Sequence, residues 1–451
     1  DPGDSYAYDK MSRITVANRA SEANAETPVR VQTSEYDIGG RPTGETVGVR
    51  PDLEWTYDTW NRPESVTLPG GVGRDPSGAF TGFQREWDSL DRLVGVGGTG
   101  LSEMGADWEW GGAARLYGIT SRGPLGTAVR YGYIGGAGPQ LPGASSEDAQ
   151  WKLGTMTFGV GDVGPTAAPA TPWGAFGFGW RGTEGDPRDG AKVGRVVLDG
   201  GLGALDGMGW SWGLDTSMRL QTAYAGQGNL AENEDDGSFE TFGFGYGQGD
   251  ELERMTRSTS GSVYFEAGDS GRTTARGLQP FPAGGRNLGP DDSPFGYDGA
   301  GRRTSDDRFS YRWDWRGRLY EVTVSTEAGT PYDGHQVRYE YDALGRLLYR
   351  VHLGEDDGSG NRPFFEYRAY LWEGNALLAE AGYGSNDGTW DDPDTDLFLR
   401  WRRTYVPGAS GLDDAVQVRV EIVEPSGSAG ADSLYSYLRD ELGTVLALAE
   451  E

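Results

Sequence analysis

The chain has 451 residues, of which 75 are glycine, with 12% aromatic residues, no cysteine and a formal net charge of −29 at pH 7. The acidic balance argues against nucleic-acid binding, which needs a basic face, and the lack of cysteine excludes disulfides and thiolate metal sites. Many short strands joined by glycine turns give such a composition, whereas a helical protein does not. No apolar run approaches membrane-spanning length, and no signal peptide is visible.

One hairpin pattern recurs along the chain. It consists of an aromatic residue, any residue, a second aromatic, Asp or Gly, two or three variable residues, a small residue, Arg and an apolar residue. In chain order, the best copies are YAYDKMSRITV (from Tyr6), WTYDTWNRPESV (from Trp55), REWDSLDRLVGV (from Arg85), WEWGGAARLYGI (from Trp108), YRWDWRGRLYEV (from Tyr311) and YEYDALGRLLYRV (from Tyr339). Degraded copies begin at Glu35, Phe176, Trp210, Phe242 and Phe295.

Each position of the copy YEYDALGRLLYRV has a structural reason. Tyr339 and Tyr341 are two residues apart and project from one face of a strand, where stacked aromatic pairs contribute about 0.2–1 kcal/mol each. Asp342 begins the turn and can accept hydrogen bonds from N–H groups two residues on. Gly345 suits a positive φ, and Arg346 can pair with the Asp of its own or of a neighbouring hairpin.

The residues singled out as structural repeat positions share these roles in five copies. They are Tyr8, Asp9, Tyr57, Asp58, Trp87, Asp88, Trp313, Asp314, Gly317, Arg318, Tyr341, Asp342, Gly345 and Arg346. Because an isolated hairpin is marginally stable, each must add its strands to its neighbours. The sequence therefore predicts an all-β fold with a long antiparallel sheet that twists, curls or closes to hide its edges.

These residues resemble the YD-repeat or Rhs-repeat family, which includes bacterial Rhs proteins, toxin-complex shell components and teneurin-like shells. The Tyr-Asp pair that names the family occurs at Tyr8-Asp9, Tyr36-Asp37, Tyr57-Asp58, Tyr297-Asp298 and Tyr341-Asp342. Three C-terminal segments add to the resemblance: YLWEGNALLAE (from Tyr370), RRTYVPGASGLDDAV (from Arg402) and YSYLRDELGTVLAL (from Tyr435). The chain departs from the pattern where Gly111, Gly179, Gly213 and Gly245 replace Asp.

The resemblance implies a sheet of hairpins that spirals into a hollow, cocoon-like shell. In the family, such a shell encloses a C-terminal polypeptide, often a toxin, which a core domain releases by autoproteolysis downstream of the segment similar to 435–448. Because the chain opens on DPGDSYAYDK without methionine, we expect it to be a piece of a longer polypeptide or a processed product. The expected location is secreted or on the bacterial cell surface.

Four segments are expected within one continuous shell. They are a YD-repeat array at 1–134, Gly/Pro/Ala-rich degenerate repeats or an insertion at 135–210, a second array at 211–380 and an approach to the Rhs-associated core at 381–451.

Few residues suggest chemistry. The two histidines, His335 and His352, have no recognisable catalytic context, and no nucleophile elbow, P-loop or His-Glu-x-x-His motif occurs, so we expect no enzyme. The loop DDPDTD places Asp392, Asp394 and Asp396 at alternate positions, which favours solvated loops and leaves a Ca²⁺ site as an alternative. No other cofactor is implied.

Three functions remain open. The first is a non-catalytic shell segment that encapsulates a C-terminal cargo, which would be another part of the same large chain. The second is an extracellular adhesin that binds cell-surface glycans through some of its 15 Trp and 23 Tyr residues. The third is a structural extracellular filament or envelope component built from stacked shells.

Overall fold

A computed structural model gives the fold of most of the repeat array. The residues that it describes are 5–20, 28–47, 53–68, 81–111, 116–133, 153–160, 171–180, 192–199, 208–215, 217, 219–227, 240–246, 252–257, 262–267, 273–276, 296–306, 308–325, 330–342, 344–358, 362–385, 397–408, 414–423, 429–439 and 445–451.

Within these ranges every regular element is a β-strand, which confirms the predicted all-β class. The strands are β1 (Ser5–Tyr8), β2 (Ile14–Ala20), β3 (Pro28–Tyr36), β4 (Pro42–Val47), β5 (Leu53–Tyr57), β6 (Pro63–Thr67), β7 (Gly82–Trp87), β8 (Leu93–Thr99), β9 (Gly105–Trp110), β10 (Leu116–Ser121), β11 (Thr127–Tyr133), β12 (Leu153–Val160), β13 (Thr171–Trp180), β14 (Lys192–Asp199), β15 (Met208–Leu214), β16 (Leu220–Gln227), β17 (Glu240–Tyr246), β18 (Leu252–Arg257), β19 (Ser262–Ala267), β20 (Thr273–Arg276), β21 (Gly296–Tyr297), β22 (Arg303–Ser305), β23 (Phe309–Trp313), β24 (Leu319–Val324), β25 (Gln336–Tyr341), β26 (Leu347–Leu353), β27 (Phe364–Glu373), β28 (Ala376–Ser385), β29 (Leu397–Val406), β30 (Gln417–Val423), β31 (Ala429–Arg439) and β32 (Val445–Glu450).

These strands form two antiparallel sheets in which neighbours in sequence pair with each other. Strands β1 to β20 belong to a 20-stranded sheet, and β21 to β32 belong to a 12-stranded sheet. The predicted long antiparallel sheet of hairpins is therefore confirmed. Buried and less buried side chains alternate along these strands, as expected where one face of a sheet is covered. In β27, for example, buried residues recur at every second position between Tyr367 and Leu371.

The described chain divides into two compact units. The first comprises Asp1–Trp110, Ile119–Thr127 and Asp307–Glu451, and the second comprises Gly111–Gly118 and Ala128–Asp306. The four sequence segments expected above remain a prediction.

The first unit has apolar cores on both the early and the late strands. Val66, Phe83 and Val96 are fully buried on β6, β7 and β8. A cluster on β26 to β28 comprises Val351, Leu353, Phe364, Tyr367, Ala369, Ala381 and Tyr383. The late strands contact the early ones within this unit, because the buried Gln417 accepts a hydrogen bond from Gly105 N (2.7 Å).

The second unit is a run of paired hairpins. Strands β12 to β20 pair consecutively and antiparallel, and this run includes the strands that contain the degraded copies at Phe176, Trp210 and Phe242. Met156 and Phe158 on β12 are buried. Gly179, Gly213 and Gly245 lie inside β13, β15 and β17, so the expected replacement of a turn Asp by Gly is wrong at these three positions. In the copy at Trp210 the turn carboxylate is Asp215, which accepts a hydrogen bond from Arg219 Nε. The described part of the chain contains no helix long and apolar enough to cross a membrane.

Candidate functional site

The most regular feature of the molecule is a turn closed by an Asp and an Arg four residues later. We call these the Asp–Arg turns. In each of them, Arg Nε donates a hydrogen bond to the Asp carboxylate. The described residues contain eight such turns, at 9–13, 37–41, 58–62, 88–92, 215–219, 298–302, 314–318 and 342–346.

The turn at 58–62 shows how the side chains close the backbone. Asp58 N donates to Arg62 O (3.0 Å), and Asn61 N donates to Asp58 O (3.0 Å). One carboxylate oxygen, Oδ1, accepts from Trp60 N (2.9 Å) and Arg62 N (2.9 Å). The other, Oδ2, accepts from Arg62 Nε (2.7 Å). The carboxylate thus satisfies N–H groups that strand pairing leaves free at the end of a hairpin.

The residue before the Arg has a left-handed backbone conformation. Gly317 has φ +80° and Gly345 has φ +94°, as expected where a side chain would be penalised. In other copies, Ser12, Asn61 and Asp91 adopt φ of 63°, 68° and 61°. Short polar side chains tolerate this region better than branched ones, which explains the residue types found in place of glycine.

The Arg of one turn also reaches the next turn. Arg13 Nη1 donates to Asp37 O at 3.0 Å, and Arg62 Nη1 donates to Asp88 O at 2.6 Å. The same bond in the late strands is longer, at 3.4 Å from Arg318 Nη1 to Asp342 O. Each of these three arginines therefore connects two hairpins.

The same guanidinium lies over the aromatic ring that precedes the next Asp. Its carbon is 4.7 Å from the ring centre in the pair of Arg13 with Tyr36 and 4.5 Å in that of Arg41 with Tyr57. Similar pairs join Arg219 to Tyr246 and Arg318 to Tyr341. Arg is suited to this position, because a planar cation can hydrogen-bond at its edge and stack on its face.

The aromatic side chain completes the link through its polar tip. Tyr341 OH donates to Leu319 O (2.8 Å), the carbonyl immediately after the preceding Arg. Equivalent bonds at 2.7–2.8 Å join Tyr57 to Pro42, Trp87 to Pro63, Trp110 to Leu93, Tyr246 to Leu220 and Trp372 to Leu347. Tyr and Trp exchange at this position because both have a donor at the far end of the ring.

The turn geometry lowers the pKa of several turn carboxyls. For Asp9, the backbone hydrogen bond from Arg13 is the main cause of a pKa below the ordinary 3.8, and the Arg13 side chain adds to it. For Asp58, burial acts in the opposite direction, but the hydrogen bonds from Arg62 and Trp60 outweigh it and the pKa is also lowered. The turns therefore favour the charged carboxylate at neutral pH.

The repeat positions singled out from sequence lie at these turns and strand ends. Tyr8, Tyr57, Trp87, Trp313 and Tyr341 end their strands immediately before the turn Asp. The acidic loop residues Asp392, Asp394 and Asp396 lie outside the described residues, so the Ca²⁺ alternative stays a prediction. Among the described residues, no group of three or more His, Asp or Glu side chains could hold a metal ion.

One cluster that the sequence did not indicate surrounds the two histidines. His335 Nδ1 lies 3.0 Å from His352 Nε2, and the His335 ring centre is 4.8 Å from that of Phe365 and 5.4 Å from that of Tyr332. Burial, followed by the proximity of His335, lowers the pKa of His352 below 6.5. The sequence had indicated only that the two histidines lack a recognisable catalytic context, and their proximity follows from the pairing of β25 with β26.

Long-range contacts inside the first unit were also not predicted from the sequence. Glu373, at the turn between β27 and β28, accepts a hydrogen bond from Trp55 Nε1 (3.1 Å) and pairs with Arg85. Arg346 pairs with Glu45 at 2.5 Å, and Arg316 Nη2 donates to Tyr6 OH. These partners are about 290 to 320 residues apart in the chain, beyond the range of a local repeat pattern.

Comparison with known proteins gives distant structural similarity only. No protein-family model matches the chain, and no curated protein matches it. It is similar to the crystal structure of TcdB2-TccC3, with 12% identity and a TM-score of 0.44 over 96% of this chain. It is also similar to the Photorhabdus luminescens Tc holotoxin pore carrying TccC3-D651A, with 10% identity and a TM-score of 0.41 over 96% of this chain. The chain spans 22% of the length of each, and similarity at this level assigns no family.

Proposed function

We propose that the chain is a non-catalytic wall segment of a larger protein that encapsulates a polypeptide cargo. The observation that supports this function most strongly is the linkage of successive hairpins at their turns. An Arg from one turn bonds the next Asp carbonyl, and an aromatic tip bonds back, as in the turns at 58–62 and 88–92. A wall of such hairpins is held together along its edge as well as through strand pairing.

The resemblance of the repeat to YD-repeat proteins supports the proposed encapsulation of a polypeptide cargo. In that family the wall surrounds a C-terminal polypeptide, and this chain would contribute part of such a shell around a segment of its own parent polypeptide. The expected setting is a secreted or cell-surface bacterial protein. The side chains of the Asp–Arg turns pair with one another, which fits a structural role better than catalysis.

The test is the intact mass of the parent polypeptide in its native source, with sequencing through its C-terminus and digestion under native conditions. We expect a chain that extends well beyond residue 451 and contains a segment protected from protease until the wall is unfolded. A parent polypeptide with no protected segment would contradict the proposal and favour the adhesin or filament.

A further inference from the structure

The fold brings together the only two histidines of a chain that has 451 residues and no cysteine. His335 and His352 are 17 positions apart in sequence, and His335 Nδ1 lies 3.0 Å from His352 Nε2. His335 directly precedes β25, and His352 is the residue before the last of β26. Both therefore lie at the open end of the hairpin that the Asp–Arg turn at 342–346 closes at its other end.

The separation of the two imidazole rings matches that of a metal chelate. Their centres are 5.2 Å apart, and their planes are inclined at 53°. Two imidazoles bound at a tetrahedral angle, with metal–nitrogen bonds of about 2.0–2.1 Å, have ring centres about 5.2 Å apart and ligating nitrogens about 3.3 Å apart. The ring centres can therefore stay where they are, because a small tilt of each ring opens the space between the nitrogens for one ion.

Binding of an ion replaces the hydrogen bond between the two nitrogens. In the hydrogen-bonded pair, one of His335 Nδ1 and His352 Nε2 carries a hydrogen and the other accepts it. Both nitrogens must be unprotonated to bind a metal, so this hydrogen moves to the other nitrogen of its own ring. Two neutral imidazoles therefore bind the ion through two new metal–nitrogen bonds, with no net release of a proton.

Hydrogen bonds fix the backbone around the pair. Arg362 Nη1 donates to Gly334 O (2.7 Å) and to Gly354 O (2.8 Å), so one guanidinium joins the segments that carry the two histidines. His335 O accepts from Val324 N at 2.8 Å. A site whose ligands are already in place loses little conformational entropy on binding, which favours an ion even with only two protein ligands.

Two aromatic side chains hold the imidazole planes. Phe365 stacks on His352, with ring centres 5.2 Å apart and planes 27° apart, and its centre is 4.8 Å from that of His335. Tyr332 meets His335 edge-on at 5.4 Å. Tyr332 is 55% exposed and Phe365 is 44% exposed, while His335 is buried and His352 half-buried. The pair therefore lies just beneath a surface that two aromatic rings border.

We propose that His335 and His352 together bind one divalent transition-metal ion of the Zn²⁺ and Cu²⁺ class. Neutral imidazole suits these ions, whereas Ca²⁺ and Mg²⁺ prefer oxygen ligands. Among the residues that the structure describes, no third His, Asp or Glu joins the pair, so water completes the coordination. The ion holds together the open end of the β25–β26 hairpin, opposite its Asp–Arg turn.

The test is nuclear magnetic resonance of the 451-residue chain with isotope-labelled histidine, titrated with Zn²⁺ at pH 7.5 in an excess of Mg²⁺. The Mg²⁺ occupies carboxylate sites, which are numerous in a chain of net charge −29. We expect the imidazole signals of both rings to shift together and to saturate at one Zn²⁺ per chain. Mg²⁺ or Ca²⁺ alone should leave them unchanged. Because the chain has two histidines, every imidazole signal reports on this site, and no variant has to fold.

Calorimetric titration with Zn²⁺ then compares variants. His335→Gln and His352→Gln should each weaken binding at least about tenfold, since losing a ligand costs no less than losing a residue that supports one. The matched control is Glu86→Gln/Asp107→Asn, which removes two carboxylates that contact Arg122, and it should bind Zn²⁺ like the unmodified chain. The proposal is overturned if neither ring signal shifts, if only one ring responds, or if the double histidine variant retains the binding.

Discussion

Replacing Arg346 by Met should destabilise the first unit by about 3 kcal/mol. Arg346 is 10% exposed, and it donates to Asp342 Oδ2 at 2.6 Å and to Glu45 Oε1 at 2.5 Å. Methionine keeps most of the apolar stem but leaves two carboxylates that are 1% and 13% exposed without their shared cation. Breaking a buried ion pair by removing one partner costs about 3–5 kcal/mol, and residual exposure places this site at the lower end.

The assay is urea unfolding at pH 7.5, followed by Trp fluorescence and far-UV circular dichroism. Arg41→Met is the matched control, because Arg41 makes the same turn bonds but is 33% exposed. Arg41→Met should therefore lower the free energy of unfolding clearly less than Arg346→Met does. Adding Glu45→Gln to Arg346→Met should recover part of the lost free energy, since it removes one of the stranded carboxylates. Equal losses in Arg346→Met and Arg41→Met would refute the reasoning that burial and the link to Glu45 decide the cost.

Three further predictions concern the turn, the aromatic tip and the histidine pair. Gly345→Val should cost about 1–2 kcal/mol in urea unfolding because φ is +94°, and Gly345→Asn should cost less; equal costs would contradict the strain argument. Trp87→Phe should lower the free energy of unfolding by about 1 kcal/mol more than Trp87→Tyr does, because Phe leaves Pro63 O without its donor. The pKa of His352 is lowered in the folded chain, so as the pH falls below 6.5 the unfolded chain binds a proton at this residue more readily than the folded chain does. Protonation therefore favours the unfolded chain. The urea midpoint should therefore drop between pH 7.5 and 5.5, and His352→Gln should flatten that drop.

The local chemistry of the repeat could be predicted from sequence because it acts within five residues. Asp342, Gly345 and Arg346 have spacing that only a short turn satisfies, so their roles in the turn followed from residue type. The interchange of Tyr and Trp was visible as well, but its reason was not. A hydrogen bond from Trp87 to Pro63 requires two neighbouring hairpins in register, and register is not written in either hairpin alone.

Contacts between distant strands could not be predicted from a repeat. Gln417 on β30 is fully buried between Gly105 N and Ser121 Oγ, about 300 residues away in the chain. Nothing near Gln417 marks it as different from an exposed polar residue on an antiparallel strand. The contacts of Glu373 were equally unpredictable, because the sequence indicated its partners Trp55 and Arg85 only as members of their own hairpins. Such pairs depend on how the late strands pack on the early ones.

We propose that this array forms part of a wall around a polypeptide. The most direct measurement is a cryo-electron microscopy map of the parent polypeptide purified from its native source. We expect a continuous wall of hairpins, joined at the Asp–Arg turns, with polypeptide density on its inner side. An open sheet with solvent on both faces, or a closed wall with nothing inside, would contradict it.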